Sequence, residues 1–152
     1  MVRGSSPHIR VGLVTGALTA TLLGGALAVA PAASAASYPT CNAVKRVYLS
    51  STVWVRQPYY SGTGSRNCIL QYGNSSSAVT ALQDALITCY RQDTGGKDGI
   101  YGPKTRQAVY NVQTQYRDIA NDGIYGPETR KKMGWRVYNN GNATTQCTAP
   151  GV

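Results

Sequence analysis

Asp98 and Asp122 occupy identical places in a repeated stretch of the chain. A pair of carboxyl groups is what glycoside hydrolysis needs, one to protonate the leaving oxygen and one to attack or to activate water. An Asp followed by Gly has a second use, because its carboxylate accepts nearby backbone N–H bonds and caps a tight turn. Capping accounts for both residues without any reaction. Arg106, Tyr110, Gln113 and Arg117 fall at spacings of four, three and four, which lines them along one stripe of a helix. Such a stripe is either a solvated face or a shallow binding surface, with Arg bonding peptide carboxylates and Tyr covering a sugar or lactyl group. Tyr101 and Tyr125 have two readings as well: a ring stacked on a sugar, or an apolar plug with a polar tip. Trp54, Tyr59 and Tyr60 fit a strand core and an exposed sugar platform equally well.

The chain has 152 residues, 15 Lys plus Arg against 6 acidic residues, 11 Tyr, 2 Trp, no Phe, four Cys and one His. That length suits one small domain. Arg3 and Arg10 precede an uncharged run from Val11 to Ala30, and a stretch of small residues follows from Pro31 to Ala36. A basic start, an apolar middle and an A-x-A site describe a secretory signal, read here as residues 1–35. A membrane anchor is the rival reading, but the run is rich in Ala, Gly and Thr and ends at a cleavage site. Removal of residues 1–35 takes away both early Arg and His8, leaving 13 basic and 6 acidic residues and no histidine. Ser-His-Asp, Cys-His and His-zinc chemistry then each lack a member, so the expectation is no enzyme and no cofactor.

Four Cys in a short exported chain read as two disulfides. Three pairings are possible, and the nested one, Cys68–Cys89 with Cys41–Cys147, is the expectation. Cys68–Cys89 would tie the segment before a helix to that helix's end, and Cys41–Cys147 would close nearly the whole chain. The gaps between the cysteines are too wide for a metal site built on close pairs, so no metal is expected.

Local signals divide what remains. Residues 36–74 form an extension with short strands at Arg46 to Leu49 and Thr52 to Val55 around a Ser50-Ser51 turn. Residues 75–134 read as three helices. The first runs from Ser77 to about Tyr90, with Val79, Leu82, Leu86 and Tyr90 on its apolar face. The second starts at Gly102-Pro103 and turns Ala108, Val109, Val112 and Tyr116 inward, and the third starts at Gly126-Pro127. Residues 135–152 read as a tail with one more strand at Trp135 to Tyr138 before Asn139-Asn140-Gly141 turns it.

Inside the helical region, Asp98-Gly99-Ile100-Tyr101-Gly102-Pro103-Lys104-Thr105-Arg106 returns 24 residues later as Asp122-Gly123-Ile124-Tyr125-Gly126-Pro127-Glu128-Thr129-Arg130, identical at eight of nine positions. The chain therefore builds one loop-to-helix device twice. Asp-Gly supplies the turn, Ile-Tyr a short extended piece, and Gly-Pro the helix start. Gln83 and Gln113 are expected to bond loop backbone, as polar groups near a core must.

With Leu82-Gln83, the two repeats, Ala108-Val109, Val112-Gln113, Thr129 and Met133 in order, residues 75–134 resemble the peptidoglycan-binding-domain-like family. The resemblance implies a three-helix, non-catalytic module that holds its owner on bacterial peptidoglycan. Val112 and Met133 depart from the Phe and Leu common at those places, and no hydrolase domain is attached. The fold expected is thus mainly α, a three-helix bundle with short flanking strands and two disulfides. The function expected is a secreted, monomeric, wall-associated binder of peptidoglycan, its positive charge adding attraction to anionic wall polymers. Neither nucleic acid nor, after signal cleavage, a membrane is an expected partner. The alternative is a secreted inhibitor or effector that acts on a protein partner, with the bundle as scaffold.

Overall fold

The computed structural model describes residues 37–149, all within one of the two units into which the chain divides, Ala35–Val152. The export segment read in residues 1–35 lies outside the described residues. The element order is β1 (Ala43–Tyr48), β2 (Val53–Tyr59), α1 (Ser77–Tyr90), α2 (Pro103–Gln113), α3 (Pro127–Lys132), β3 (Trp135–Asn139) and β4 (Asn142–Thr148). Among the described residues no helix is long and apolar enough to cross a membrane.

The expected mainly-α bundle is corrected by this order. The helices are short, with 14, 11 and 6 residues, and the flanks are not loose extensions. They join in one antiparallel sheet of order β1-β2-β3-β4. β1 and β2 form a hairpin in which Tyr48 faces Trp54 and Arg46 faces Arg56. β3 and β4 form a second hairpin through Asn140 and Gly141, both at positive φ, as a tight two-residue hairpin requires. The join between hairpins, Trp54 opposite Tyr138 and Val55 opposite Val137, spans the entire helical region. Each strand has a local signature, but that pairing does not.

α1 is the hub. It packs against all four strands and α2, and Val79, Leu82 and Leu86 share one core with Val55, Trp135 and Val137. Burying each such aliphatic side chain contributes about 1.5–3 kcal/mol. The stretch before α1 is a spine rather than a linker. Cys41 N–H donates to Ile69 O, and Leu70 and Tyr125 exchange a pair of backbone bonds. Further along, Tyr101 N–H donates to Asn74 O and Ser76 N–H to Gly99 O.

The disulfides are Cys41–Cys68 and Cys89–Cys147, not the nested pair. α1 explains the difference. At 14 residues it is roughly 20 Å long. Cys41 and Cys68 lie at its start, where Ser76 Oγ donates to Cys41 O, whereas Cys89 is in its last turn beside β4. Neither Cys68 nor Cys41 can reach the far end. The closed loops, 27 and 58 residues in sequence separation, make each bridge worth about 4 kcal/mol in the chain-entropy account.

A buried charge sets α1 against the second hairpin. Asp84, 8% exposed, accepts from Lys97 Nζ at 2.7 Å, Arg136 Nη1 at 3.0 Å and Tyr138 Oη at 3.0 Å. Burial pushes its carboxyl up, but the bonds from Lys97 and Tyr138 and the charges of Lys97 and Arg136 outweigh that and hold it below the usual carboxylate range. A group that ionises more readily folded than unfolded stabilises the fold above about pH 4, and that stability is lost as pH falls through the folded value. Asp84→Asn should therefore cost about 2–3 kcal/mol at pH 7. Urea unfolding of both proteins at pH 7 and at pH 3 should show the gap closing in acid; a gap of equal size at both pH values would refute the role of charge.

Candidate functional site

Each repeat is organised by one buried glutamine. Gln83, fully buried on α1, accepts from Gly99 N–H at 2.9 Å through Oε1. Its Nε2 donates to Asp98 Oδ1 at 2.8 Å, Ile100 O at 3.1 Å and Thr105 Oγ1 at 3.1 Å. Gln113, at the end of α2, does the same one repeat later. Its Oε1 accepts from Asp122 N–H at 3.1 Å and Gly123 N–H at 2.8 Å. Its Nε2 donates to Asp122 Oδ1 at 3.1 Å, Ile124 O at 2.9 Å and Thr129 Oγ1 at 3.1 Å. A primary amide suits the task because it alone among uncharged side chains offers a strong acceptor and two donors together.

The aspartates complete each turn from within. Asp98 Oδ1 accepts from Ile100 N–H at 2.9 Å, and Asp122 Oδ1 from Ile124 N–H at 2.8 Å. The bond from Gln83, and then that from Ile100 N–H, lower the Asp98 carboxyl from its ordinary value. A general acid needs the opposite shift. The glycines are fixed by contact as well as by φ. At Gly123, φ +68°, a Cβ would lie 2.8 Å from Arg106 Cγ and 3.1 Å from Arg106 O. At Gly99, φ +77°, it would lie 3.2 Å from Ser76 O. Each loop thus packs directly on the first turn of the preceding helix, and the helix after it starts at Gly102-Pro103 or Gly126-Pro127.

The sugar-stacking reading of Tyr101 and Tyr125 is corrected by their burial, since both rings are fully enclosed. Tyr101 Oη donates to Gly123 O at 2.9 Å, which ties the first loop to the second. Tyr125 packs edge-on against Trp135, with centroids 6.0 Å apart, and so ties the second loop to the sheet. Burial raises both phenols well above their ordinary value.

The expected stripe does not survive as a unit either. α2 ends at Gln113, whose side chain is turned inward, and Arg117 lies beyond it in an exposed turn. Tyr116, expected on the inner helical face, also follows the helix, and its hydroxyl pairs with that of Tyr90. Arg106 and Tyr110 remain. They line a groove of about 770 Å³ together with Tyr72, Pro103, Gln107, Asn121 and Asp122. A smaller hollow of about 230 Å³, bounded by Gln71, Tyr72, Arg106, Gly123 and Ile124, shares two of these residues. Tyr72 is 63% exposed and Tyr110 42%, and Arg106 has no carboxylate partner among the described residues. The groove therefore offers two aromatic faces, a guanidinium, carboxamides and, at one edge, the Asp122 carboxylate, a set suited to a sugar bearing a short peptide. Tyr72, Gln107 and Asn121 carry no local signal of this role. Only the pairing of the spine with the two loops puts Tyr72 beside α2.

Residues 75–133 match the family described as "Putative peptidoglycan binding domain". The match takes in α1, α2, α3 and both glutamine-held loops, and leaves all four strands outside. It suggests peptidoglycan as the partner and agrees with association with the cell wall. No curated protein matches the chain.

Removing the second clamp should loosen the wall of the groove. Gln113→Leu strands two loop N–H groups, a carbonyl and the Asp122 carboxylate, so it should cost about 2–4 kcal/mol. Gln113→Glu keeps the acceptor but sets a carboxylate against Asp122 and should be no better. Thermal unfolding monitored by near-ultraviolet circular dichroism checks both, and a glutamate variant of wild-type stability would contradict the donor role of Nε2.

Proposed function

We propose that the protein is an exported, non-catalytic binder of cell-wall peptidoglycan, and that the groove between α2 and the second loop takes the ligand. The observation that carries this reading is the coincidence of two facts. The segment that matches the family is the one whose repeated loop forms a wall of the groove of about 770 Å³, and that groove is lined by Arg106, Tyr110 and Tyr72. Arg106 would bond a carboxylate of the stem peptide, and the two exposed rings would cover the sugar or its lactyl group. Asp122 is committed to its own turn and to Gln113, so it shapes the groove instead of reacting in it.

The reading as a binder is supported by what the carboxylates do. Asp98 and Asp122 bond their own loops, and Asp84, Asp93, Asp118 and Glu128 each pair with Lys or Arg. Arg106→Ala with Tyr110→Ala should cut the fraction of protein pelleted with purified sacculi at least about fivefold at 0.15 M salt, on the scale of two lost polar and aromatic contacts. The thermal midpoint should fall by no more than about 4 °C, because both residues are exposed although Arg106 Cγ also packs under Gly123. Unaltered pelleting by the double variant would remove the groove from the account. Failure of the unmodified protein to pellet would favour a protein partner, and falling turbidity of the suspension would reveal hydrolysis.

A further inference from the structure

A second groove, of about 470 Å³, lies on the sheet, outside the segment matched to the family. It is lined by Val44, Arg46, Trp54, Arg56, Tyr138 and Gly141. The Trp54 and Tyr138 rings stack at 6.3 Å with 6° between their planes; Trp54 itself is buried, and Tyr48, 59% exposed, presents the open ring 5.8 Å from it. A guanidinium sits over each stacked ring, Arg46 at 5.0 Å from Trp54 and Arg56 at 5.9 Å from Tyr138.

Arg46 and Arg56 are direct cross-strand partners. Like charges placed so oppose the sheet. Among the described residues no Asp or Glu side chain pairs with either. The six carboxylates of the chain, all among the described residues, bond Lys97 and Arg136, Lys104, Gln83, Lys132, Gln113 and Lys131. Both Arg are exposed, and their ring contacts orient them without cancelling their charge. Two oriented cations a strand apart, over aromatic faces and with no acid in the groove, form a receptor waiting for an anion that also has an apolar flank.

We infer that this groove binds a phosphodiester-linked polyol chain, an anionic polymer, at a site separate from the peptidoglycan groove. Successive phosphates bond Arg46 and Arg56, and the carbon face of the intervening polyol lies against the exposed ring of Tyr48 at the edge of the Trp54–Tyr138 stack. A polymer of carboxylates on a peptide backbone supplies the charge but not the polyol face, so it binds less tightly.

The test is fluorescence anisotropy of labelled poly(glycerol phosphate) with the intact protein at 0.1 M salt. The variants are Arg46→Gln/Arg56→Gln and, as a control that removes the same charge elsewhere, Arg117→Gln/Lys131→Gln. The groove variant should bind at least about tenfold more weakly and the control less than about threefold. The groove variant should still pellet with sacculi stripped of anionic polymer, which separates this inference from the proposed function. Arg46→Lys/Arg56→Lys, which keeps the charge and loses the fork, should fall between the two. Equal losses in groove and control variants, equal affinity of the unmodified protein for poly-glutamate, or no binding of poly(glycerol phosphate) would each overturn it.

Discussion

Two buried primary amides, those of Gln83 and Gln113, hold the helical part of this protein in shape. Each reaches from a helix into the turn that follows and satisfies loop N–H groups, a loop carbonyl, an Asp carboxylate and a Thr hydroxyl on the next helix. Leaving such groups unpaired inside a protein costs about 1–3 kcal/mol each. The loops therefore have one low-energy form, and the rest follows from it. Once Gly99 and Gly123 are seated against the preceding helices, Tyr101 and Tyr125 point inward, and the helices that begin at Pro103 and Pro127 leave in fixed directions. The groove along α2 results from that placement, because Arg106 forms both the floor under Gly123 and part of the lining.

The sheet contributes in another way. Its four strands bring chain ends together around α1, and Asp84 and the Cys89–Cys147 bridge fasten the second hairpin to that helix. The Cys41–Cys68 bridge fastens the first hairpin to the spine that both loops bond. Neither hairpin has enough apolar surface to stand alone in water. Covering α1 completes the core, and the same arrangement leaves a cationic, aromatic groove outside the segment matched to the family.

What could be read from sequence was whatever has a local cause. The repeated Asp-Gly turn, the two Gly-Pro helix starts and the apolar period of α1 are set by neighbours within a few residues, and they are where the structure has them. The turn before β4 is local too, since Asn140-Gly141 followed by a Thr-rich run marks a hairpin. The pairing of β2 with β3 depends on contacts across the whole helical region, so local signals alone point to a mainly-α bundle in place of a sheet. The disulfide partners depend on the length of α1, which puts Cys41 and Cys89 at opposite ends. The stripe failed at Gln113, where an inward hydrogen-bonded network ended a helix that periodicity would have continued to Arg117. Tyr72 was invisible as a groove residue because only tertiary pairing of the spine brings it to α2.

Amide hydrogen exchange at Gly99 and Gly123 tests the glutamine clamps most directly, because exposed Asp-Gly turns ordinarily exchange almost as fast as an unstructured peptide. With both amides donating to buried glutamine oxygens, each should be slowed by at least about a hundredfold, in step with the helical core. Exchange at either glycine within a few-fold of the unstructured rate would contradict the account.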